Sequence, residues 1–321
     1  MPKEKQKKNL VVIGGGTGTF TVLTALKKYP VYLSAIVSMA DDGKSTGILR
    51  DQYGVLPPGD VRRALVALSE DSGMMRKLFE YRFKNGDFAG HSVGNLLLSA
   101  LEKITGNFAV AVEESSKILN VKGNVIPVTL GNVKLYAELR DGTLIKGETN
   151  IDIPKDGLKR APIMRVWLEP KAKLHEAARE TILNADVIVV GPGDLYTSLI
   201  PNLLVYGMPE TIFLSKAKKI YICNLMTKFG ETDGFSAEDF VREIEKYLGK
   251  NILDFVLCNT KKPSAKVLAD YRKEKSEFVI PPYLEALSSK KPKYILTDIL
   301  CGGSLVRHDS GKLAKNLLSI A

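Results

Sequence analysis

The chain has 321 residues, 45% of them hydrophobic and 26% charged, with a formal net charge of +10. That length can bury a sizeable core as one large α/β domain or two smaller ones, and the composition is that of an ordinary soluble enzyme-sized protein. The positive excess sits at the two ends of a nearly neutral body, with no interleaved aromatic residues, which argues against nucleic acid as a partner.

No apolar run reaches the roughly 18 residues of a membrane span, so no membrane contact is expected. The apolar stretch Leu10 to Ile13, behind the basic MPKEKQKKN, is far too short for a signal peptide. A cytoplasmic location is therefore expected. Cys223, Cys258 and Cys301 are too few and too widely spaced for a disulfide framework or a Cys-rich metal site, and read as buried, reduced strand residues.

In chain order, residues 1–8 read as a basic flexible tail. Asn9 to Thr19, NLVVIGGGTGT, is a short apolar run that stops in three glycines and opens into a helical pattern. This is a strand, a phosphate-sized turn and a helix start, in which Gly14, Gly15, Gly16, Thr17 and Gly18 would offer backbone amides to an anion. The alternative is a tight turn with no ligand. Phe20 to Lys28 has helical spacing and Val31 to Val37 is β-rich, so the unit predicts parallel strands with a right-handed crossover. A nicotinamide fingerprint fails in detail, because Thr19 stands where the third glycine belongs and Ser38 where the acidic residue belongs.

A long polar loop is expected from Met39 to Gly59. Its Gly43-Lys44-Ser45 mimics the end of a P-loop, but Ser38 replaces the first glycine, and Asp41 and Asp42 would repel phosphates. The two aspartates suit a metal ion, with Mg²⁺ the candidate, or sugar hydroxyls; loop caps in water are the bland alternative. Asp60 stands at an N-cap position ahead of Val61 to Ser69, and is either that cap or a ligand contact. His91, Ser92 and Asn95 surround the start of the helical run Val93 to Ile104, where they suit phosphate or sugar hydroxyls, or else are a cap beside a surface histidine.

Between about residues 125 and 168 the pattern changes to short strands, a β-rich insertion read as a subdomain or flap. The βα rhythm then resumes. Asp186 to Val190 leads into a second glycine turn, Gly191-Pro192-Gly193-Asp194, followed by Tyr196, Thr197 and Ser198 at a helix start. That places Gly191, Gly193, Asp194, Tyr196 and Thr197 at the carboxyl edge of the sheet, where open α/β proteins bind ligands. Asn224 and Asn259 each follow a cysteine at a strand end, positioned to read a base or to tie a loop. Ser236 and Asp239 have capping-box spacing, and a last strand, Tyr294 to Leu300, ends in Gly302-Gly303. The fold class is α/β: a doubly wound, mostly parallel, Rossmann-like sheet over residues 9–321 with one β-rich excursion. There is no G-x-S-x-G elbow and no histidine pair at zinc spacing, which counts against hydrolase and zinc-enzyme readings.

The segments IGGGTGT, ADDGKSTGILR, PPGDVRRALVAL, GHSVGNLLLSAL, ADVIVVGPGDLYTSLIPNLL and CNLMTKFGETDG, in that order over most of the chain, resemble the YvcK/CofD-like family. CNLMTKFGETDG together with LVRHD resembles its gluconeogenesis-factor (YvcK) branch rather than the 2-phospho-L-lactate transferases. The resemblance implies growth on non-glycolytic carbon, supply of cell-wall precursors, cell shape, and binding of UDP-N-acetylglucosamine. Tyr271, in YRKEK, and Arg307, in LVRHD, stand where that branch contacts the nucleotide sugar. A guanidinium pairs bidentately with a diphosphate, and a tyrosine stacks on uracil or bonds to it. The resemblance also makes Ser310 a regulatory phosphorylation site.

Lys44, Asp194, Lys228 and Phe240 depart from the family pattern, where glycine, serine, glutamine and histidine are usual. Three functional classes follow. One is a UDP-sugar-binding regulator. The second is a transferase, of phospho-lactate or nucleotidyl groups, with Asp41 and Asp42 holding Mg²⁺. The third is a scaffold that docks a cell-wall precursor enzyme through the insertion, whose deletion would then spare ligand binding. The oligomeric state, a homo-oligomer included, stays open.

Overall fold

The structure, a computed structural model, describes residues 7–70, 73–154, 160–282 and 291–321. In chain order its strands are β1 (Asn9–Gly14), β2 (Tyr32–Val37), β3 (Asn124–Pro127), β4 (Lys134–Leu139), β5 (Leu144–Lys146), β6 (Ile163–Glu169), β7 (Val187–Val190), β8 (Lys218–Ile222), β9 (Phe255–Asn259) and β10 (Lys293–Thr297). Seven of them form one parallel sheet in the order β10-β9-β8-β7-β1-β2-β3. In β1 and β7 the residues Leu10–Gly14 and Val187–Val190 are buried without alternation. Because successive side chains point to opposite faces, such runs mean that both faces are covered. Each fully buried Val, Leu or Ile contributes about 1.5–3 kcal/mol.

The chain winds outward from β1 through β2 to β3, returns, and restarts with β7 on the other side of β1. Ile13 is in register with Val190, so the carboxyl ends of β1 and β7 lie side by side. The connections leave these two ends in opposite directions and open a crevice between them.

The helices are α1 (Gly16–Leu26), α2 (Lys44–Tyr53), α3 (Gly59–Leu68), α4 (Met74–Glu80), α5 (Val93–Thr105), α6 (Phe108–Ile118), α7 (Glu148–Asp152), α8 (Glu176–Leu183), α9 (Ile200–Leu203), α10 (Met208–Leu214), α11 (Ala237–Leu248), α12 (Ala265–Lys273) and α13 (Ser310–Ile320). A π-helical turn, Leu195–Leu199, precedes α9. The Ser236–Asp239 capping box at α11 is present as expected. Among the described residues no helix is long and apolar enough to cross a membrane.

Three local readings change. Asn124–Pro127 pairs in parallel with β2, so it is an edge strand of the main sheet, and the excursion begins after it rather than at 125. Its β4, β5 and β6 form a separate antiparallel sheet in the order β5-β4-β6. The expected loop 39–59 contains α2, whose polar sequence KSTGILRDQY hides its helical face while Thr46, Leu49 and Arg50 are buried. The segment after β5 turns into α7, five residues long and too short to show a helical period. Cys223 and Cys258 are buried free thiols, whereas Cys301 is only half-buried, in the loop after β10.

Candidate functional site

A cleft of about 580 Å³ opens where β1 and β7 end. Its floor is backbone. Gly15, Gly16, Thr17 and Gly18 of the first turn face Pro192, Gly193, Asp194, Thr197 and Ser198 of the second. The two turns touch so closely that a Cβ on Gly18 would run into the carbonyl of Pro192, and Gly16 has φ of +68°, which favours glycine. The α1 N-terminus has no side-chain cap, and among the described residues Gly16 is the only one of its first three amides with a side-chain acceptor, Asp60 Oδ1 at 3.0 Å. The next amides are open to an anion. Asn224 lines the same cleft and braces the second turn, its Nδ2 donating to the Gly193 carbonyl at 2.9 Å while Tyr221 OH donates to its Oδ1 at 3.2 Å.

One flank is acidic. Asp41, after β2, accepts from Thr46 Oγ1 and from the Gly43 amide, both at 2.9 Å. Asp60 is not the N-cap of α3. Pro58 holds that position, and the Asp60 side chain turns instead to Gly16 and to Arg63, 3.3 Å away. Burial, reinforced by the nearby Asp41 charge, pushes Asp60 up to about 6. The insertion contributes Glu148, Thr149, Asp152 and Ile153 to this flank. Glu148 is pushed from 4.5 to about 9, by burial first and then by the charges of Asp41, Asp152, Asp42 and Asp60.

Asp42 does not line the cleft. Its Oδ2 accepts from the Glu148 amide at 3.0 Å, and its Oδ1 accepts from the Thr149 amide and hydroxyl at 2.8 and 2.7 Å. It caps α7 from 106 residues away. The expected Asp41–Asp42 pair is therefore not formed as a pair. The two carboxylates serve different partners, and among the described residues no three His, Cys, Asp or Glu side chains converge as metal ligands. The expectation that deleting the insertion would leave the cleft intact does not hold, because α7 forms one of its walls and the deletion would remove Glu148, Thr149 and Asp152.

The other end of α7 is also held. Arg160 donates to the carbonyls of Asn150 and Ile151, and Lys228 pairs with Asp152, with Asp194 at 2.8 Å and with Glu231 at 3.3 Å. Burial alone would depress the Lys228 ammonium, but the carboxylates of Glu231, Asp194 and Asp152 outweigh it and hold the proton well above the usual lysine range. Two of the departures from the family pattern, Asp194 and Lys228, thus compensate each other. The other two stay out of the cleft: Lys44 is exposed at the start of α2, and Phe240 is buried edge-on to Phe235.

The far end of the cleft is lined by Leu225, Met226, Tyr271, Val306, Arg307 and His308. Tyr271 OH accepts from the Val306 amide at 3.0 Å and so anchors the segment that carries Arg307. Arg307 is exposed, with no hydrogen bond or ion pair to its guanidinium among the described residues. His308 Nε2 lies 3.2 Å from the Cys223 carbonyl, and burial lowers the ring to about 4, so it is a neutral imidazole whose Nε2–H donates to that carbonyl.

The remaining expected residues lie elsewhere. His91, Ser92 and Asn95 form a buried network. His91 Nδ1 and Asn95 Nδ2 each lie 3.1 Å from Ser45 Oγ, Arg62 Nε donates to Asn95 Oδ1 at 2.9 Å, and Ser92 caps α5. They join α2 to α5 and α3, and the helix start they surround points its donors at a protein side chain. Asn259 ties a loop, accepting from the amides of Lys261 and Ile299. Tyr196 is buried, its hydroxyl pushed far up by burial and the nearby Glu243. Gly14 and Gly191 are strand-end residues beneath the cleft, holding Ser38 and Ile13 through backbone hydrogen bonds of 3.1 and 3.0 Å. Ser310 opens α13 behind its N-cap Asp309, three residues from Arg307. Glu148, Asp152, Arg63 and His308 were not foreseen as cleft residues; only His308 had a signal, its place in LVRHD.

Comparison with known proteins gives the chain's family. A family model described as 2-phospho-L-lactate transferase CofD matches residues 10–300. The chain is 50% identical to the gluconeogenesis factor of Halalkalibacterium halodurans over 86% of this chain and 84% of that one. It is 38% identical to the gluconeogenesis factor of Bacillus subtilis over 98% of each. A crystal structure of a UPF0052-family protein from Bacillus halodurans superposes with a TM-score of 0.91 at 46% identity, covering 97% of this chain and 99% of that one. The chain belongs to the gluconeogenesis-factor branch of the YvcK/CofD-like family.

Proposed function

We propose that the cleft binds UDP-N-acetylglucosamine and that the protein is a cytoplasmic regulator which couples this nucleotide sugar to growth on non-glycolytic carbon, cell-wall precursor supply and cell shape. The observation that carries the reading is the division of the cleft: uncapped amides on the floor, an unpaired arginine with a tyrosine at one end, and carboxyl groups at the other. Amides and Arg307 suit a diphosphate, the Tyr271 ring suits uracil, and carboxyl groups suit a neutral, hydroxyl-rich sugar far better than a second phosphate. The gluconeogenesis factors it resembles give the physiological side of the proposal. A phosphate on Ser310, at the start of α13, would stand near Arg307 and modulate the same site.

Isothermal titration with UDP-N-acetylglucosamine tests the assignment. Saturable heat is expected with the native protein, weakened about tenfold or more in Arg307→Ala, since a hydrogen bond to a charged group is worth about 1.5–3 kcal/mol. No heat with the native protein, or unchanged affinity in the variant, would sink it. Turnover of UTP with a sugar phosphate would favour the transferase reading instead.

A further inference from the structure

Glu148 is the one acidic side chain of the cleft whose carboxyl meets neither a hydrogen-bond donor nor a cation among the described residues. Asp41 has Thr46 and the Gly43 amide, Asp60 has Gly16 and Arg63, and Asp152 and Asp194 share Lys228. Its backbone is nevertheless fixed, because Asp42 accepts from the amides of Glu148 and Thr149, and Arg160 holds the carbonyls of Asn150 and Ile151. A rigid helix therefore presents a partly buried, unpartnered carboxyl to the cleft. A buried carboxyl without a partner is costly to keep, and such groups concentrate where a ligand completes the set.

The carboxylates that act on it come from its own helix and from two other elements. Asp41 and Asp42 lie on the loop after β2, Asp60 with its partner Arg63 on α3, and Asp152 on α7 itself. Ionising a further carboxyl amid these four is unfavourable, because like charges oppose it in a poorly solvated site. A protonated carboxyl, in contrast, is both donor and acceptor.

We propose that Glu148 reads the sugar end of the ligand as a neutral carboxylic acid, donating a hydrogen bond to a hydroxyl or acetamido oxygen and so setting sugar specificity. The inference rests on the nucleotide-sugar reading given above. The rise of the Glu148 proton affinity to about 9 agrees with it. The insertion would then be the specificity element of the site, and Asp42 its positioning residue.

The test combines titration with UDP-N-acetylglucosamine and thermal unfolding, each between pH 6 and 10, for the native protein, Glu148→Gln and Glu148→Ala. The amide of glutamine is neutral and donates, so Glu148→Gln is expected to bind within about threefold of native at pH 7, while Glu148→Ala is about three- to tenfold weaker, the range of one neutral hydrogen bond. Native affinity should fall more steeply than that of Glu148→Gln as pH rises past about 9. Native binding by the alanine variant, or equal loss in the alanine and glutamine variants, overturns the proposal; the latter outcome means that the ionised carboxylate is required. Thermal unfolding needs no ligand. Should the native protein give no heat, the nucleotide-sugar reading falls, and a native stability that declines with pH in parallel with Glu148→Gln then overturns the neutral acid as well.

Discussion

The two sides of the cleft are made in different ways. The floor is backbone: two glycine turns at adjacent strand ends, each specified by a few contiguous residues and pressed together at Gly18 and Pro192. The flanks are side chains delivered from afar, α7 by an aspartate 106 residues upstream and Arg307 by a segment anchored on Tyr271. Backbone amides recognise what many ligands share, an anion of the right size. The side-chain flanks can vary without disturbing the sheet, so they are suited to deciding which ligand carries that anion.

That contrast can be broken or sharpened by mutation. The largest effect is expected for Gly18→Val, which would force the two turns apart; overpacking of this kind costs about 1–3 kcal/mol, and ligand heat should vanish. A native unfolding midpoint with native binding would show that the floor is not a single packed unit. Next is Asp42→Ala, which strips three donors of their acceptor and uncaps α7 at a cost of about 1–2 kcal/mol. Hydrogen exchange should speed up at 148–152 and stay unchanged in β1 and β7. Uniform acceleration would mean that floor and flank are one cooperative body. The smallest effect is expected for Tyr271→Phe, which keeps the ring and loses the acceptor for the Val306 amide, about 0.5–1.5 kcal/mol, and so weakens binding by about three- to tenfold.

The pH dependence of stability bears on the same contrast. Glu148 holds its proton in the folded protein up to about 9 but releases it near 4.5 when unfolded. The folded state therefore binds more protons across that window, and the stability contributed below 4.5 is lost as pH rises through 9. Glu148→Gln should flatten the slope.

The floor was legible in the sequence because glycines between an apolar strand and a helix leave few conformational choices. Gly15 to Gly18 and Gly193 accordingly fell where the spacing put them. The flanks were not legible, for two separate reasons. Asp42 and the His91, Ser92, Asn95 group have the chemistry of ligand contacts and of helix anchors alike, and only the partner, α7 in one case and Ser45 with Arg62 in the other, tells them apart. Glu148 had no signal at all. Its helix is shorter than two turns, and its proposed role arises from carboxylates on that helix and on two other elements that no local pattern connects.

One packing contact has a consequence for how the protein is made. Just after Arg307, α13 buries Leu313, Ala314 and Leu317 and packs on α1, the helix that the first glycine turn begins. During synthesis the glycine turn emerges early, yet its arginine wall and the helix backing it arrive roughly 290 residues later, counting from Gly18 to Arg307. A partly made chain thus lacks the arginine wall, and the cleft is complete only once the segment before α13 has been added.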